Sequence, residues 1–340
     1  MRSSSIKRYC KGNNTWALVT GASDGIGLGF AQELAQLGFN VVLHGRNLTK
    51  LEKVKGRLQL EYPNVSFRIA VVDASSTSHK QIGKLVASIQ DLHLTVLVNN
   101  VGGVAKTSPL ELLAAEEIDS AINLNARFPT QFTRALLPKL TQSKAPSLIM
   151  TIGSLADFMV PYTVTYGGSK AFNMAWSSSL ALEMKAEGKN VEVLAIPVGK
   201  VTEVGHNKDP ITFFTPGART VARAALQRVG CGKAIVVGYV GHAMLKFILD
   251  ILPASLFAGV VVPRMKGLWE EERIKRYMNI MRTSFQLWRG RSIHSIRQQI
   301  RRNSHPSVYF HIGRSQSCFW VPYLDVLRHL SRLLSSSNHS

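Results

Sequence analysis

Tyr166 and Lys170 place a phenol and an ammonium four residues apart in the stretch TYGGSKAFNM, residues 165–174. Residues at this spacing share one face of an α-helix, so the two side chains can interact. A phenol with its ordinary pKa of about 10 is a sluggish proton donor at pH 7, and a nearby ammonium would lower that pKa by favouring the phenolate. The pair could therefore give a proton to a reacting oxygen. Taken alone, the same spacing is typical of a solvated surface pair.

Gly167 and Gly168 separate the two side chains. Glycine costs a helix about 1 kcal/mol per position relative to alanine, so two in succession weaken it. We expect the helix to pass close to a bound cofactor here, where small residues are needed.

The pair follows a regular alternation of apolar and amphipathic segments. Runs typical of buried strands occupy residues 16–20, 40–45, 65–73, 94–100, 146–154 and 191–199, and amphipathic stretches occupy residues 29–38, 47–61 and 78–92. This alternation predicts βαβ units and a parallel sheet. The expected fold class is α/β, a doubly wound parallel sheet (Rossmann fold) in a single domain with a basic C-terminal extension. Such sheets bind ligands at the carboxyl ends of their strands.

The first predicted strand ends in the glycine-rich segment TGASDGIG, residues 20–27, which leads into a predicted helix. Because glycine has no side chain, such a turn lets the backbone approach a pyrophosphate. The N-terminus of the following helix adds amide donors and a positive dipole. An ordinary tight turn is the alternative. The predicted dinucleotide contacts in this segment are Gly21, Ser23, Asp24, Gly25, Ile26 and Gly27.

Polar side chains also lie at the ends of the next three predicted strands. Arg46 follows the second strand, where no acid is present. An acid there would hold the ribose 2′-hydroxyl of NAD, whereas a base suits the 2′-phosphate of NADP. Arg46 thus favours NADPH, unless it is merely a solvated arginine. Asp73 is placed to accept a hydrogen bond from adenine, and Asn99 is placed beside the cofactor ribose.

In order and spacing, these motifs resemble the short-chain dehydrogenase/reductase superfamily. The matching elements are TGxxxGxG at 20–27, NNxG at 99–102, Ser154 and YxxxK at 166–170. The resemblance covers about residues 12–262. The segments WALVTGASDGIG and FNMAWSSSLALEM are most similar to the branch of microsomal very-long-chain 3-oxoacyl-CoA reductases and 17β-hydroxysteroid dehydrogenases.

The resemblance implies roles for four catalytic residues. Tyr166 would be the general acid, and Lys170 would lower its pKa and bind the nicotinamide ribose. Ser154 would hydrogen-bond the substrate carbonyl. Asn125 would hold a water that relays protons to the lysine, with Asn123 as the nearby alternative.

The resemblance also implies further cofactor contacts. These are Val101, Gly102, Pro197, Val198 and Thr202, together with Tyr166 and Lys170. The family's usual Pro-Gly dipeptide is Pro197-Val198-Gly199 here, which leaves the path of this loop open. Residues 206–218 would form the loop on the substrate side.

The activity that the resemblance implies is NADPH-dependent reduction of a lipophilic ketone. The first candidate is the reduction of a long-chain 3-oxoacyl-CoA to the 3-hydroxyacyl-CoA in fatty-acid elongation. A 17β-hydroxysteroid dehydrogenase would need the same residues and a similar apolar pocket. A different alternative is a catalytically silent dinucleotide-binding protein that acts through interactions. Relatives of this branch suggest the cytosol-facing endoplasmic reticulum membrane, or the cytoplasm if the branch's usual N-terminal anchor is missing. Family members also often form homo-oligomers.

The composition divides the chain into four parts. Residues 1–11 are expected to be a solvated lead-in and residues 12–262 the dehydrogenase domain. Within that domain, the apolar residues 234–262 would start as a buried strand and then contact a membrane surface. Residues 263–281 would form a charged helix, and residues 282–340 a poorly ordered Arg/Ser-rich tail.

The basic charge is concentrated at the C-terminal end. The whole chain has a net charge of +20, and residues 282–340 contain nine arginines, no lysine and one acid. Such a tail could bind RNA, but no nucleic-acid partner is expected. The three cysteines show neither a metal-ligand spacing nor a disulfide framework, and no metal site is predicted.

Overall fold

The fold is seen in a computed structural model that describes residues 5–103, 107–142, 145–157, 160–205 and 207–290, with side chains to residue 283. Six strands form one sheet: β1 (Thr15–Thr20), β2 (Asn40–Gly45), β3 (Phe67–Val71), β4 (His93–Asn99), β5 (Ser147–Ile152) and β6 (Val191–Ile196). Their spatial order is β3-β2-β1-β4-β5-β6, and neighbouring strands are parallel. The predicted doubly wound α/β fold is confirmed.

Nine helices accompany the sheet within the described residues. They are α1 (Gly25–Gln36), α2 (Leu48–Glu61), α3 (His79–Ala87), α4 (Ala115–Ile122), α5 (Phe128–Gln142), α6 (Val164–Ala186), α7 (Ala218–Leu226), α8 (Val240–Ile251) and α9 (Ala254–Gly290). A π-helical turn, Asn123–Arg127, joins α4 to α5, and short 3₁₀ turns lie at Ser5–Tyr9, Leu110–Leu112 and Leu155–Asp157.

The sheet separates two apolar cores. On one face, strand side chains such as Val19 pack with Phe30 of α1 and Val221 of α7. On the other face, strand side chains such as Leu97 pack with Phe132 of α5 and Leu180 of α6. Both faces of the central strands are buried, which explains why these strands are almost continuously apolar in sequence.

Chain order reverses on either side of β1, because β2 lies on one side of it and β4 on the other. At such a switch point the loops after the strands diverge and leave a crevice at their carboxyl ends. The glycine-rich segment follows β1 at this edge, Asn99 ends β4, and Ser154 lies just after β5.

The predicted solvated lead-in at residues 1–11 is wrong for its described part. Ile6 and Tyr9 are fully buried in the core that contains α1. Thr95 of β4 donates a hydrogen bond to the Tyr9 carbonyl at 2.8 Å, and the Tyr9 hydroxyl donates to Glu192 of β6 at 2.5 Å. Most residues of this segment are polar, but its large apolar side chains Ile6 and Tyr9 anchor it in the core.

The predicted boundary between residues 262 and 263 also differs from the structure. Helix α9 continues through Pro263, and the compact unit that holds the sheet extends to Arg276. A second unit begins at Tyr277. The predicted charged helix at 263–281 is therefore the middle of a longer helix, and most of the predicted tail, 291–340, lies outside the described residues.

Residues 234–262 begin as an added edge to the sheet and continue into α8 and α9. The Ala195 amide donates to the Ala234 carbonyl at 2.7 Å, and the Val236 amide donates to the Ala195 carbonyl at 3.0 Å. In the described part of the chain no single helix meets the length and hydropathy needed to cross a bilayer. Helices α8 and α9, bent by 118° at their junction, reach that threshold only as a pair.

Candidate active site

The glycine-rich segment forms a tight turn between β1 and α1. Gly21 has a φ of +68°, a conformation that side chains disfavour. A Cβ added at Gly27 would lie 2.1 Å from the Gly21 carbonyl oxygen, so only glycine lets α1 start this close to the strand. The result is a cradle of backbone groups at a helix N-terminus, which fits the pyrophosphate of a dinucleotide.

Thr20 ties this turn to the end of β4. Its hydroxyl accepts hydrogen bonds from the amides of Asn100 and Val101, both at 2.9 Å, and donates to the Val98 carbonyl at 3.2 Å. The two strand ends at the switch point are thereby held at a fixed separation. Val101 and Gly102, predicted cofactor contacts, follow directly at the mouth of the crevice.

Asn99 is oriented differently from the prediction. Its side-chain amide is buried and donates a hydrogen bond to Thr133 of α5 at 2.8 Å. Its neighbour Asn100 instead donates to the Thr20 carbonyl at 2.9 Å. Side chains alternate between the two faces of a strand, and this alternation was the signal that could have distinguished the two asparagines.

The N-terminus of α1 has a carboxylate cap and a covering loop. Asp24 accepts a hydrogen bond from the Gly25 amide at 2.8 Å, and Ser23 and Ile26 beside it are half-buried. A Cβ added at Gly25 would lie 2.8 Å from Val204, and one added at Gly205 would lie 2.8 Å from Asp24. The loop after β6 therefore reaches the same turn that the sequence predicts for the pyrophosphate.

Arg46 and Asp73 lie just after the carboxyl ends of the neighbouring strands β2 and β3. The Asp73 carboxylate accepts hydrogen bonds from the amide and hydroxyl of Ser75 at 3.0 and 2.8 Å. Although burial raises the pKa of Asp73, these hydrogen bonds and the charges of Arg46 and His44 hold it below its usual value. Arg46 itself is exposed, with its guanidinium available to a ligand at this end of the crevice.

Lys170 is buried at the centre of the site. It is 5% exposed, and its ammonium donates a hydrogen bond to the Ile152 carbonyl at the end of β5 at 3.1 Å. A Cβ added at Gly102 would lie 2.9 Å from both Lys170 Nζ and Asn125 Oδ1. Gly102 therefore borders both groups, and any larger residue there would intrude on them.

The π-helical turn orients Asn125. Its side chain makes two hydrogen bonds to the backbone of Gly103, accepting from the amide and donating to the carbonyl, each at 3.0 Å. Asn173 of α6 donates to the Asn125 carbonyl at 2.7 Å. A single π turn inside a long helix is frequently a feature of functional sites. Here it brings Asn125, rather than Asn123, into the wall beside Lys170.

Tyr166 meets Ser154 through a close contact between α6 and the turn after β5. Ser154 accepts a hydrogen bond from the Ala156 amide at 3.0 Å, and its hydroxyl lowers the pKa of the Tyr166 phenol. A Cβ added at Gly167 would lie 2.9 Å from the Ala156 carbonyl oxygen. Glycine at 167 therefore lets Tyr166 approach Ser154. At Gly168, by contrast, an added Cβ would meet no other part of the protein within 4 Å.

Burial and the neighbouring side chains of Ser154 and Asp157 affect the ionisation of Tyr166. Burial raises the pKa of its phenol, the hydrogen bond from Ser154 lowers that pKa, and the Asp157 carboxylate raises it. The ammonium of Lys170 lies 6.0 Å from the phenol ring centre and is itself affected by burial, which lowers the pKa of Lys170 to about 8. The lowering of the Tyr166 pKa that the sequence predicts for Lys170 stays a prediction, and Asp157 is a nearby carboxylate that the sequence did not indicate.

The loop after β6 passes beside Ser154. The amides of Gly153 and Leu155 donate to the carbonyls of Ile196 and Val198, each at 2.9 Å. Pro197 and Val198 therefore lie alongside the residue predicted to hold the substrate carbonyl. Thr202 is buried, and its hydroxyl donates to the Asp209 carbonyl at 2.5 Å. In this arrangement the Thr202 hydroxyl is directed into its own loop, not toward the crevice.

The predicted substrate-side loop carries two exposed aromatic rings. Phe213 and Phe214 are 48% and 45% exposed, and their rings meet edge to face at 5.1 Å. Phe213 also lies beside Tyr239, which precedes α8. An apolar surface therefore continues from this loop onto α8.

A family model described as short chain dehydrogenase matches residues 15–210. The very-long-chain 3-oxoacyl-CoA reductase of Neurospora crassa is 32% identical over 253 residues, covering 72% of this chain and 75% of the relative. The protein of the same name from Debaryomyces hansenii is 33% identical over 255 residues, covering 71% and 73%. A solved short-chain dehydrogenase from Sphingobium yanoikuyae in complex with NADPH has a TM-score of 0.58 and 25% identity, covering 71% of this chain and 97% of that structure.

Proposed function

The chain belongs to the short chain dehydrogenase family, and on that premise we propose that it reduces the ketone of a long-chain 3-oxoacyl-CoA to the 3-hydroxyacyl-CoA with NADPH. The observation that carries the proposal is the convergence of Ser154, Tyr166, Lys170 and Asn125 at the carboxyl edge of the sheet. The substrate class follows from the names of relatives about one third identical to this chain.

The chemistry follows from the charge that develops on the substrate. A reduced nicotinamide dinucleotide, when bound, supplies the hydride that the ketone carbon accepts. The carbonyl oxygen then gains negative charge, which Ser154 stabilises by donating a hydrogen bond. Tyr166 gives its phenolic proton to that oxygen, so that the product is the alcohol. The raised pKa keeps Tyr166 protonated until this charge appears.

Lys170 and Asn125 restore the proton that Tyr166 has given. With a pKa of about 8, Lys170 can both release and accept a proton near neutral pH. The Asn125 side chain and the Lys170 ammonium both border Gly102. Asn125 would hold the water through which the proton reaches Lys170 and then the phenolate. Gly21, Gly25, Gly27 and Gly102 would hold the dinucleotide through backbone groups.

Two other functions use the same fold. A 17β-hydroxysteroid dehydrogenase would need the same residues, so substrates must be compared directly. A silent dinucleotide-binding protein would bind NADPH without turnover. The four polar groups that a ketoreductase needs are present and buried or half-buried together, which favours an enzyme.

The exchange of Tyr166 for phenylalanine tests the enzyme directly. We expect the wild-type chain to oxidise NADPH with a long-chain 3-oxoacyl-CoA and not with a 17-ketosteroid. Tyr166→Phe should lower kcat by about a thousandfold, because a positioned general acid contributes on that scale. Its dissociation constant for NADPH, measured by fluorescence, should change less than twofold.

Tyr162→Phe is the matched control, since it removes a hydroxyl four residues earlier and should keep full turnover. Normal turnover by Tyr166→Phe would contradict the assigned proton donor. Turnover of the steroid alone would show that the substrate is a steroid and not the 3-oxoacyl-CoA. NADPH binding with no turnover of either ketone would favour the catalytically silent dinucleotide-binding protein.

The preference for NADPH rests on Arg46. Arg46 is exposed and directly follows β2. No acidic residue is present there to hold the free ribose 2′-hydroxyl of NADH. We expect Arg46→Asp to lower affinity for NADPH relative to NADH by about tenfold or more, because hydrogen bonds between charged groups are worth about 1.5–3 kcal/mol. Titration of both dinucleotides checks this, with Arg57→Asp on the exposed face of α2 as the equal change in charge. The same NADPH-to-NADH ratio in both variants and the wild type would refute the role of Arg46.

Contact with a membrane surface is proposed for an apolar corner formed by α8 and the start of α9. It is defined by the exposed side chains Met244, Phe247, Ile251, Leu256 and Val260. Large exposed apolar side chains that occur close together in the chain are typical of a protein or membrane contact, and a substrate with a long acyl chain partitions into lipid. The endoplasmic reticulum remains the location that the sequence resemblance implies.

Vesicle flotation of the full chain tests the apolar corner. We expect the wild type to float with phospholipid vesicles and Phe247→Asp/Ile251→Asp to stay largely unbound, because each aspartate places a charge on the contacting surface. Leu60→Asp, on the exposed face of α2, is the control and should float. If the corner variant floats as well as the wild type, the corner is not the membrane contact.

A further inference from the structure

The backbone of the loop after β6 is held from two sides. On the sheet side, Leu155 of the Ser154 turn donates to the Val198 carbonyl at 2.9 Å. On the opposite side lies His242, a buried residue of the first turn of α8 that is 1% exposed. The two contacts fall on successive residues of the loop. They fix the position of this backbone relative to Ser154.

His242 contacts the loop with both of its ring nitrogens. The Gly199 amide donates to Nδ1 at 3.2 Å, and Nε2 lies 3.1 Å from the Lys200 carbonyl oxygen. An amide can only donate and a carbonyl can only accept, so Nδ1 must be unprotonated and Nε2 must carry the hydrogen. The contact therefore requires the neutral imidazole in one tautomer.

Gly199 is the residue that admits the imidazole. A Cβ added there would lie 2.8 Å from His242 Cδ2 and 3.1 Å from Nε2. This contact gives a physical reason for the position of glycine in Pro197-Val198-Gly199. The Tyr239 ring packs edge-on against the other side of the imidazole at 5.3 Å, so the ring has little freedom to rotate.

We propose that His242 is a positioning residue that holds the Gly199–Lys200 backbone where the nicotinamide end of a dinucleotide binds. This inference rests on the proposed function, because it assumes that the loop contacts the cofactor beside Ser154. His242 touches neither substrate nor cofactor and acts through the loop. Loss of its contacts would let the loop move and would weaken dinucleotide binding without removing any catalytic group.

The protonation state of His242 gives the inference a second consequence. Burial lowers the pKa of His242 and its hydrogen bond to Lys200 raises it, with a net lowering. The neutral form thus prevails at pH 7, and the contact with Gly199 is lost as the pH falls through the lowered pKa. Protonation would place two N–H groups face to face.

Other titratable groups lie near His242, on its own helix, on the loop after β6 and on the turn after β5. On the loop, Lys200 forms an ion pair with Asp209, and on α8, Lys246 forms one with Asp250. Asp157 lies on the turn after β5, and Tyr239 is the aromatic contact already described. Because these groups also respond to pH, the effect of His242 must be measured as a difference between variants.

The test measures NADPH affinity in four variants of the full chain. We expect His242→Ala and Gly199→Ala each to weaken NADPH binding by about tenfold, since each removes contacts worth about one or two hydrogen bonds. His242→Gln should retain most of the affinity, because its amide can accept from Gly199 and donate to Lys200. His79→Ala, an exposed histidine at the start of α3, should bind as the wild type does.

The double variant His242→Ala/Gly199→Ala separates this contact from general disruption. With the imidazole gone, the added methyl has no ring to displace, so the double variant should bind no more weakly than His242→Ala. Additive losses would overturn the proposal. So would a fall in melting temperature for His242→Ala with unchanged NADPH affinity, since that would be a purely structural role. This comparison holds even if one single variant folds poorly.

The pH profile and the tautomer complete the test. Acidification should weaken NADPH binding more steeply in the wild type than in His242→Gln, and equal profiles would overturn the proposal. Nitrogen NMR of the imidazole at pH 7 should show the neutral tautomer protonated at Nε2, and the other tautomer would refute it. None of these measurements requires ketone turnover. If the substrate proposed above is wrong, these results are unaffected.

Discussion

The burial of the Lys170 ammonium is the constraint on which the rest of the site depends. An ammonium removed from water costs several kcal/mol unless polar groups surround it. In this protein the Ile152 carbonyl accepts its hydrogen bond, and the Asn125 amide lies across Gly102 from it. The ends of β4 and β5, the π turn and α6 must therefore converge at one point. That convergence also lowers the pKa of Lys170 to about 8, which suits proton transfer near neutral pH.

Close backbone approach is the means by which these elements converge. Gly27 lets α1 begin against the β1 turn, Gly102 leaves space between Lys170 and Asn125, and Gly167 lets α6 contact the Ala156 carbonyl. Each glycine lowers local stability, because glycine loses more conformational entropy on folding than other residues, but it allows a shorter distance between elements. Charged and polar side chains can then meet at the sheet edge, where the reversal of strand order leaves the crevice open.

Much of this arrangement could be predicted from the sequence because it is periodic or local. Alternating apolar and amphipathic segments predict the parallel sheet, and the spacing of Tyr166 and Lys170 predicts a shared helical face. Other features depend on distant contacts. The buried Tyr9, the π turn at Asn125 and the contact of His242 with Gly199 join segments far apart in the chain. The source of the Tyr166 pKa shift likewise depends on burial, which residue spacing does not reveal.

The approach of α6 to the Ser154 turn at Gly167 positions the catalytic pair, Ser154 and Tyr166. The most direct measurement is kcat/KM for NADPH-dependent reduction of a 3-oxoacyl-CoA by Gly167→Ala and Gly168→Ala. Both changes favour a helix by about 1 kcal/mol, but only the first methyl would meet the Ala156 carbonyl. Gly167→Ala is predicted to lose about tenfold or more in kcat/KM while remaining folded, and Gly168→Ala to keep wild-type activity. Equal activity in the two variants would contradict the account.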